Sequence, residues 1–226
     1  MKDTHVVVVL GGDPTRRAEL TADVIARTAG SALVLTGHPD AVDPRLDTTD
    51  VGAVEVRADD PVARTQAYLS GAVDPGDDVL AALSAGSDTP LSAVLGWEYT
   101  RRAAAPGYWD VVVVELDGDL AAVRRLAAAG ELTAFVDSRW PAHVRFASMA
   151  AGDMADPRVR EAHRLSLLAA DVTDFLSGPL EVVVAGEAPE RTEAMAELAR
   201  GAVTPDIELD DSGEYLVAYP APTMPT

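Results

Sequence analysis

The glycine turn at residues 11–18 is the first chemical candidate in the chain, and it reads Gly-Gly-Asp-Pro-Thr-Arg-Arg-Ala after a valine-rich run. A strand that enters a helix through such a turn can hold phosphate, because backbone N–H groups and a helix N-terminus attract anions. Here the turn has no lysine, and the chain's one lysine is Lys2. Asp13 would repel phosphate and Pro14 removes an N–H donor. The residues alone favour a turn in which Asp13 caps the helix and Pro14 is its first residue.

Acidic residues and one histidine form a second chemical candidate. They lie just beyond predicted strand ends, where the ligand site of a parallel sheet is found. The residues are Asp13, His38, Asp40, Asp117 and Asp119. Together they could bind a hard cation such as Mg²⁺. The alternative is that they are ordinary cap and turn residues in a chain with 37 acidic residues. We favour the alternative and predict no metal site.

The elements that must position these residues alternate between β-branched runs and helical stretches. Strands are predicted at 5–10, 31–36, 51–56, 108–115 and 180–185. Helices are predicted at 15–28, 61–69, 77–84, 91–104, 120–129, 131–151, 157–176 and 189–200, with a final hairpin from 206–209 and 214–219. This pattern predicts an α/β fold with a doubly wound, mostly parallel sheet. We expect one domain over residues 1–226, with a helical insert at about 120–176 and the C-terminal hairpin.

Composition narrows the classes of partner. The formal net charge of −19 argues against nucleic acid and anionic membranes, because neither attracts an acidic surface. The chain has no cysteine, which excludes disulfides, thiolate nucleophiles and cysteine-ligated zinc. It shows no signal-peptide pattern and no apolar run of the roughly 20 residues that span a bilayer. We therefore expect a cytoplasmic protein without membrane insertion.

The turn resembles the phosphate-binding motif of the ArsA-type P-loop ATPases, the arsenical-pump and tail-anchored-protein-targeting family. Laid without gaps on their motif G-K-G-G-V-G-K-T-T-L, the chain matches at Gly11 and Leu20. The other positions depart from it. Gly12 stands at the second lysine, Asp13 and Pro14 at two glycines, Arg16 at a third glycine, Arg17 at the P-loop lysine and Ala18 at the magnesium-binding hydroxyl.

Two further segments carry the same resemblance. Residues 108–119 are similar to the family's Y-D-V-V-V-V-D-T-A-P-T, with Glu115 at the Walker B aspartate. The tripeptide Pro189, Glu190 and Arg191 follows a strand, as does the P-E-R turn near the family's nucleotide base. Weaker similarity lies at residues 36–39 and 140–143. A lesser resemblance to the DUF218 (YdcF-like) family covers only residues 7–17 and 34–37. The ArsA resemblance implies a P-loop NTPase type of fold over most of the chain.

The resemblance implies a nucleotide site at Gly11, Gly12, Asp13, Arg16, Arg17, Glu115, Pro189, Glu190 and Arg191. The chain lacks most of the motif's glycines, its lysine and its magnesium-binding hydroxyl. Their combined loss indicates that this site binds no cofactor and turns over no ATP. We therefore expect a pseudo-ATPase that works by binding protein. The alternatives are a Mg-dependent enzyme built around the acids, or an ArsA-like ATPase with residual ATP binding.

Aromatic residues in the helical insert are the predicted partner contact. Phe135, Trp140 and Phe146 recur at roughly helical spacing, and aromatic side chains are the anchors that interfaces prefer. An ordinary core face is the competing interpretation. The resemblance implies an intact ArsA-like ATPase subunit as the partner, since that family works as dimers, and a homodimer is the alternative.

Overall fold

A computed structural model describes residues 4–28, 30–46, 52–72, 89–116, 120–152, 156–185, 197–198, 205–209 and 215–220. The strands are β1 (His5–Gly11), β2 (Ala32–Thr36), β3 (Val54–Ala58), β4 (Val111–Glu115), β5 (Leu180–Ala185), β6 (Pro205–Leu209) and β7 (Tyr215–Pro220). The helices are α1 (Pro14–Thr28), α2 (Pro39–Leu46), α3 (Pro61–Ala72), α4 (Pro90–Ala103), α5 (Leu120–Arg139), α6 (Ala142–Ala150) and α7 (Pro157–Leu176).

The strands described form one sheet in the order β3-β2-β4-β1-β5-β7-β6. The first five are parallel, while β5 pairs antiparallel with β7, which closes the hairpin with β6. The predicted α/β fold with a mostly parallel sheet and a C-terminal hairpin is therefore confirmed. The first and fourth strands are neighbours in the sheet, since His5 pairs with Val111 and Val9 pairs with Glu115.

The central strands β4, β1 and β5 are buried on both faces over their runs of consecutive valines, as is typical of parallel strands covered by helices. Val7 and Val9 of β1 pack in a cluster with Leu20, Val24 and Ile25 of α1. The alternate residues of β1 face the other side of the sheet and are buried as well. Helix α1 therefore lies against the sheet directly after the glycine turn, which fixes the turn between two rigid elements.

Helix boundaries in the predicted insert differ from the sequence expectation. The sequence predicts helices at 120–129 and 131–151, broken near Gly130, but α5 runs unbroken through Gly130 to Arg139. The break comes at Trp140 and Pro141 instead. Pro141 lacks an N–H and disfavours helical geometry in the residue before it, whereas a helix tolerates one glycine. Helix α2 is not among the predicted helices, and the predicted helix at 77–84 lies outside the described residues.

Contacts within the chain divide it into two compact units. The first comprises Met1–Asp59, Thr100–Leu126 and Leu176–Thr226, and it contains the sheet and the glycine turn. The second comprises Asp60–Tyr99 and Ala127–Phe175. The predicted insert at about 120–176 accounts for part of this second unit. That residues 1–226 form one domain stays a prediction.

Candidate functional site

The glycine turn begins where β1 ends. Gly11 and Gly12 have φ of 83° and 59°, a left-handed conformation that glycine adopts at little cost. A Cβ on Gly11 would stand 2.3 Å from the carbonyl oxygen of Ala185 on the neighbouring strand β5. Gly11 is therefore required by close backbone packing as well as by its dihedral angle. This steric requirement accounts for the first glycine of the turn without any ligand.

Asp13 caps helix α1. Its carboxylate Oδ1 accepts a hydrogen bond of 2.9 Å from the backbone N–H of Arg16, and its carbonyl accepts the N–H of Arg17 at 3.1 Å. Pro14 is the first helical residue, so the predicted cap is confirmed. The N-terminus of a helix attracts negative charge, and here the carboxylate of Asp13 already supplies it. A phosphate at this position would have to displace the Asp13 carboxylate from the helix N-terminus, and the negative charge of that carboxylate would repel it.

Arg17 points into the protein rather than toward solvent. Its Nε lies 3.1 Å from Oε1 of Glu115, and their side chains are 3% and 1% exposed. Its NH1 donates to the carbonyl oxygens of Gly11 at 3.3 Å and Gly12 at 2.8 Å. The guanidinium of Arg17 therefore contacts two parts of the resemblance. One is the glycine turn, through the carbonyls of Gly11 and Gly12, and the other is Glu115, which stands at the Walker B aspartate. We call this set, with Thr36, the Arg17 cluster.

Thr36 completes the Arg17 cluster. Its hydroxyl donates to Oε2 of Glu115 at 2.6 Å and accepts the backbone N–H of His38 at 2.9 Å. Both carboxylate oxygens of Glu115 are therefore hydrogen-bonded, one to Arg17 and one to Thr36. The sequence analysis assigns no such role to Thr36. The register of the sheet explains the contact, because Leu35 pairs with Val114 and the next residue of β2 therefore lies beside Glu115.

The electrostatics of the Arg17 cluster do not fit nucleotide phosphates. A P-loop presents backbone N–H groups and a free cation to phosphate, with a hydroxyl for magnesium. Here the cation at that position is neutralised by Glu115, and its donors are aimed at the loop's carbonyls. Ala18 stands fully buried at the hydroxyl position and has no oxygen to bind a metal. Among the described residues at this turn, the side chains at the lysine and hydroxyl positions are therefore a paired arginine and a buried alanine.

Arg16, the other predicted arginine, lies on the surface of the same helix. Its NH1 donates to Oε2 of Glu19 at 3.2 Å, while Arg45 of α2 donates to Oε1 at 2.9 Å. This group ties α1 to α2. Because each side chain is about one third exposed, such pairs contribute at most about 1 kcal/mol each to stability.

The candidate metal ligands considered in the sequence analysis do not come together in the part of the chain that is described. There, no group of three or more His, Asp or Glu residues has the arrangement to hold a metal ion. Asp13 is used as a cap and Asp40 lies in the first turn of α2. Asp117 and Asp119 lie outside the described residues, as do the predicted nucleotide-site residues Pro189, Glu190 and Arg191.

The three aromatic residues predicted to bind a partner differ in exposure. Phe135 and Trp140 are partly buried, whereas Phe146 is 64% exposed. Phe146 lies on α6, a helix that also exposes Val144 and Met149. Its ring contacts His163 of α7 edge-on, with centroids 5.8 Å apart. The break at Pro141 therefore separates Phe146 from Phe135, and only Phe146 of the three presents a large apolar surface to solvent.

Arg145 holds α6 in place although the helix turns its apolar residues outward. It is 5% exposed, and its NH1 donates to the carboxylate of Asp137 on α5 and to the carbonyl of Trp140, which directly follows α5. Its NH2 donates to the Ser166 hydroxyl of α7 at 3.2 Å. One buried cation thus links three helices of the second unit.

Replacing Arg145 by methionine is expected to loosen α6 without unfolding the sheet. Methionine fills a similar volume but leaves the Trp140 carbonyl and Asp137 without this donor, at a cost of about 1–3 kcal/mol. Hydrogen exchange read by mass spectrometry should show faster exchange over residues 142–150 and unchanged exchange in β1. Arg139→Met, at an exposed position on α5, is the control. Equal exchange in the two variants would contradict the anchoring role.

Comparison with known proteins adds no family. A scan against protein-family models found no matching model, and a search of curated proteins found no match. Among the described residues, no helix combines the length and apolarity needed to cross a membrane.

Proposed function

We propose that the chain is a catalytically inactive, ArsA-like pseudo-ATPase that acts by binding a protein partner. One observation carries this proposal: the arginine at the P-loop lysine position forms a buried ion pair with Glu115 and donates to the carbonyls of Gly11 and Gly12. To meet a phosphate, Arg17 would have to leave the buried carboxylate of Glu115 without its ion-pair partner. Such a step costs several kcal/mol. The Arg17 cluster therefore stabilises the fold, and the chain retains an ATPase-like scaffold but does not hydrolyse ATP.

We expect the purified protein to bind no ATP. Calorimetric titration with millimolar Mg·ATP should give only heats of dilution, because neither the helix N-terminus nor Arg17 is available to phosphate. Arg17→Met is the matched variant, since it would abolish any binding that depends on this side chain. A dissociation constant below about 100 μM, roughly −5.5 kcal/mol, would contradict the proposal. Loss of that binding in Arg17→Met, with circular dichroism showing that the variant is still folded, would further assign it to this site.

The proposed partner is an intact ArsA-like ATPase subunit, and the support for it is the resemblance at residues 11–20 and 108–119. The test is co-expression with such an ATPase followed by size-exclusion chromatography. Joint elution is expected, and Phe146→Ser or Trp140→Ala should weaken it. Separate elution of the two proteins at about 10 μM, where a complex of ordinary affinity persists, would contradict this partner.

A further inference from the structure

Helix α7 has two faces of different character. Its buried face packs inside the second unit and includes Val159, Ala162, Leu165, Ala169 and Val172. Its opposite face is exposed and carries Arg160, Arg164, Leu167, Asp171 and Asp174, at alternating spacings of four and three residues. Residues at these spacings share one side of a helix over about four turns. We call these five residues the α7 stripe.

Charges of the α7 stripe are ordered along the helix in an unfavourable direction. The arginines lie toward the N-terminus and the aspartates toward the C-terminus, and there is no acid in the first turn and no base in the last. A helix N-terminus carries partial positive charge and its C-terminus partial negative charge. Each misplaced charge in the end turns costs a few tenths of a kcal/mol or more in an isolated helix. This order therefore does not serve the stability of α7 by itself.

The same charges are symmetric about Leu167. Arg160 lies seven residues before it and Asp174 seven residues after it, while Arg164 lies three before and Asp171 four after. Two copies of α7 that run antiparallel with their Leu167 residues adjacent would place each arginine beside an aspartate of the other copy. In this arrangement each basic N-terminal half faces an acidic C-terminal half. A two-fold interface requires such self-complementarity.

We propose that the α7 stripe is the contact by which two copies of this chain pair, with their α7 helices antiparallel and Leu167 at the two-fold axis. Leu167 is 55% exposed, so a large apolar side chain sits at the centre of an otherwise charged stripe. Phe146 extends the apolar centre, because its ring contacts His163, one turn before Leu167. This inference identifies a second copy as a partner and uses no residue of the Arg17 cluster.

Two neighbouring residues, Tyr68 and Glu161, orient the side chain of Arg164. Its guanidinium carbon lies 4.8 Å above the ring of Tyr68, and its NH1 is 3.8 Å from the carboxylate of Glu161. The Tyr68 hydroxyl in turn donates to Glu161, and burial is the main cause that raises the pKa of Tyr68. Because the side chain of Arg164 remains 56% exposed, it is oriented yet still accessible.

A charge exchange between the ends of the α7 stripe tests this pairing. Sedimentation velocity of the full chain, from about 5 to about 200 μM, should show a reversible monomer–dimer equilibrium, as a small interface predicts. Arg160→Asp and Asp174→Arg should each weaken dimerisation about tenfold, since two exposed ion pairs become like-charge contacts. An equimolar mixture of the two variants should restore it, because the aspartate introduced in one variant would then face the arginine introduced in the other. Both substitutions suit the helix dipole, so neither should melt α7.

Two further variants complete the test. Leu167→Glu, which places two like charges at the axis, should weaken dimerisation more than tenfold. Asp23→Arg, at an exposed position on α1, matches the charge change of Asp174→Arg and should leave dimerisation unchanged. A chain that stays monomeric throughout this range would overturn the proposal. So would a dimer insensitive to Leu167→Glu, or charge variants that mixing does not rescue. None of these assays contains nucleotide, so they fail or succeed independently of the ATP titration.

Discussion

Arg17→Met is expected to lower the free energy of unfolding by about 3–5 kcal/mol, which is a large fraction of the stability of a typical domain. The substitution leaves the carboxylate of Glu115 buried with Thr36 as its remaining partner in the Arg17 cluster. It also removes the donor that the Gly11 and Gly12 carbonyls share. Urea denaturation followed by circular dichroism measures this change through the midpoint and slope of the transition.

Arg16→Met is the matched control, because it makes the same substitution at the neighbouring residue, whose ion pair with Glu19 is partly exposed. Its cost should stay below about 1 kcal/mol. In a double-mutant cycle, Arg17→Met combined with Glu115→Gln should cost less than the sum of the two single changes, since neither partner is then left charged and alone. Equal midpoints for Arg16→Met and Arg17→Met would show that the buried pair contributes nothing to the fold.

Gly11→Ala is expected to cost roughly 3–5 kcal/mol. The alanine would have to adopt a left-handed φ of 83°, and its Cβ would stand 2.3 Å from the carbonyl oxygen of Ala185. The dihedral angle costs roughly 1–2 kcal/mol, and the forced separation of β1 from β5 costs about as much or more. Differential scanning calorimetry should show a lower transition temperature for this variant.

Gly107→Ala separates the two causes. Gly107 has a similar φ of 96°, but a Cβ added there would have no atom within 4 Å beyond its chain neighbours. This variant should therefore lose only the roughly 1–2 kcal/mol of backbone strain. If Gly11→Ala costs no more than Gly107→Ala, then contact with Ala185 does not account for the glycine. A phosphate-binding role for the turn would then regain support.

Local chemistry determined much of the fold in advance. The sequence predicts strands at 5–10, 108–115 and 180–185 from their valine-rich runs, and these strands form the centre of the sheet. Asp13 and Pro14 specify the start of α1, because capping depends on hydrogen bonds between residues three apart. The insert was less predictable, since Gly130 and Pro141 both interrupt helical sequence. Their different costs decided where α5 ends.

The Arg17 cluster depended on contacts that sequence spacing does not reveal. Arg17 and Glu115 are 98 residues apart, and Thr36 and Glu115 are 79 residues apart. They meet because β4 lies between β1 and β2 and its register brings Glu115 level with both. A long arginine side chain at the start of α1 could equally have faced solvent or a phosphate. The position of one buried carboxylate decided its direction.

Exposure was the other property that only the tertiary structure decided. The sequence grouped Phe135, Trp140 and Phe146 as one contact, but the helix breaks at Pro141, and of the three only Phe146 stays mostly exposed. The order of Arg160 and Asp174 along α7 is given by the sequence. Whether these charges can contact a second copy depends on which side of α7 faces water. Caps and strand runs follow from neighbours along the chain. The direction of a long side chain follows from which distant groups the fold brings within its reach.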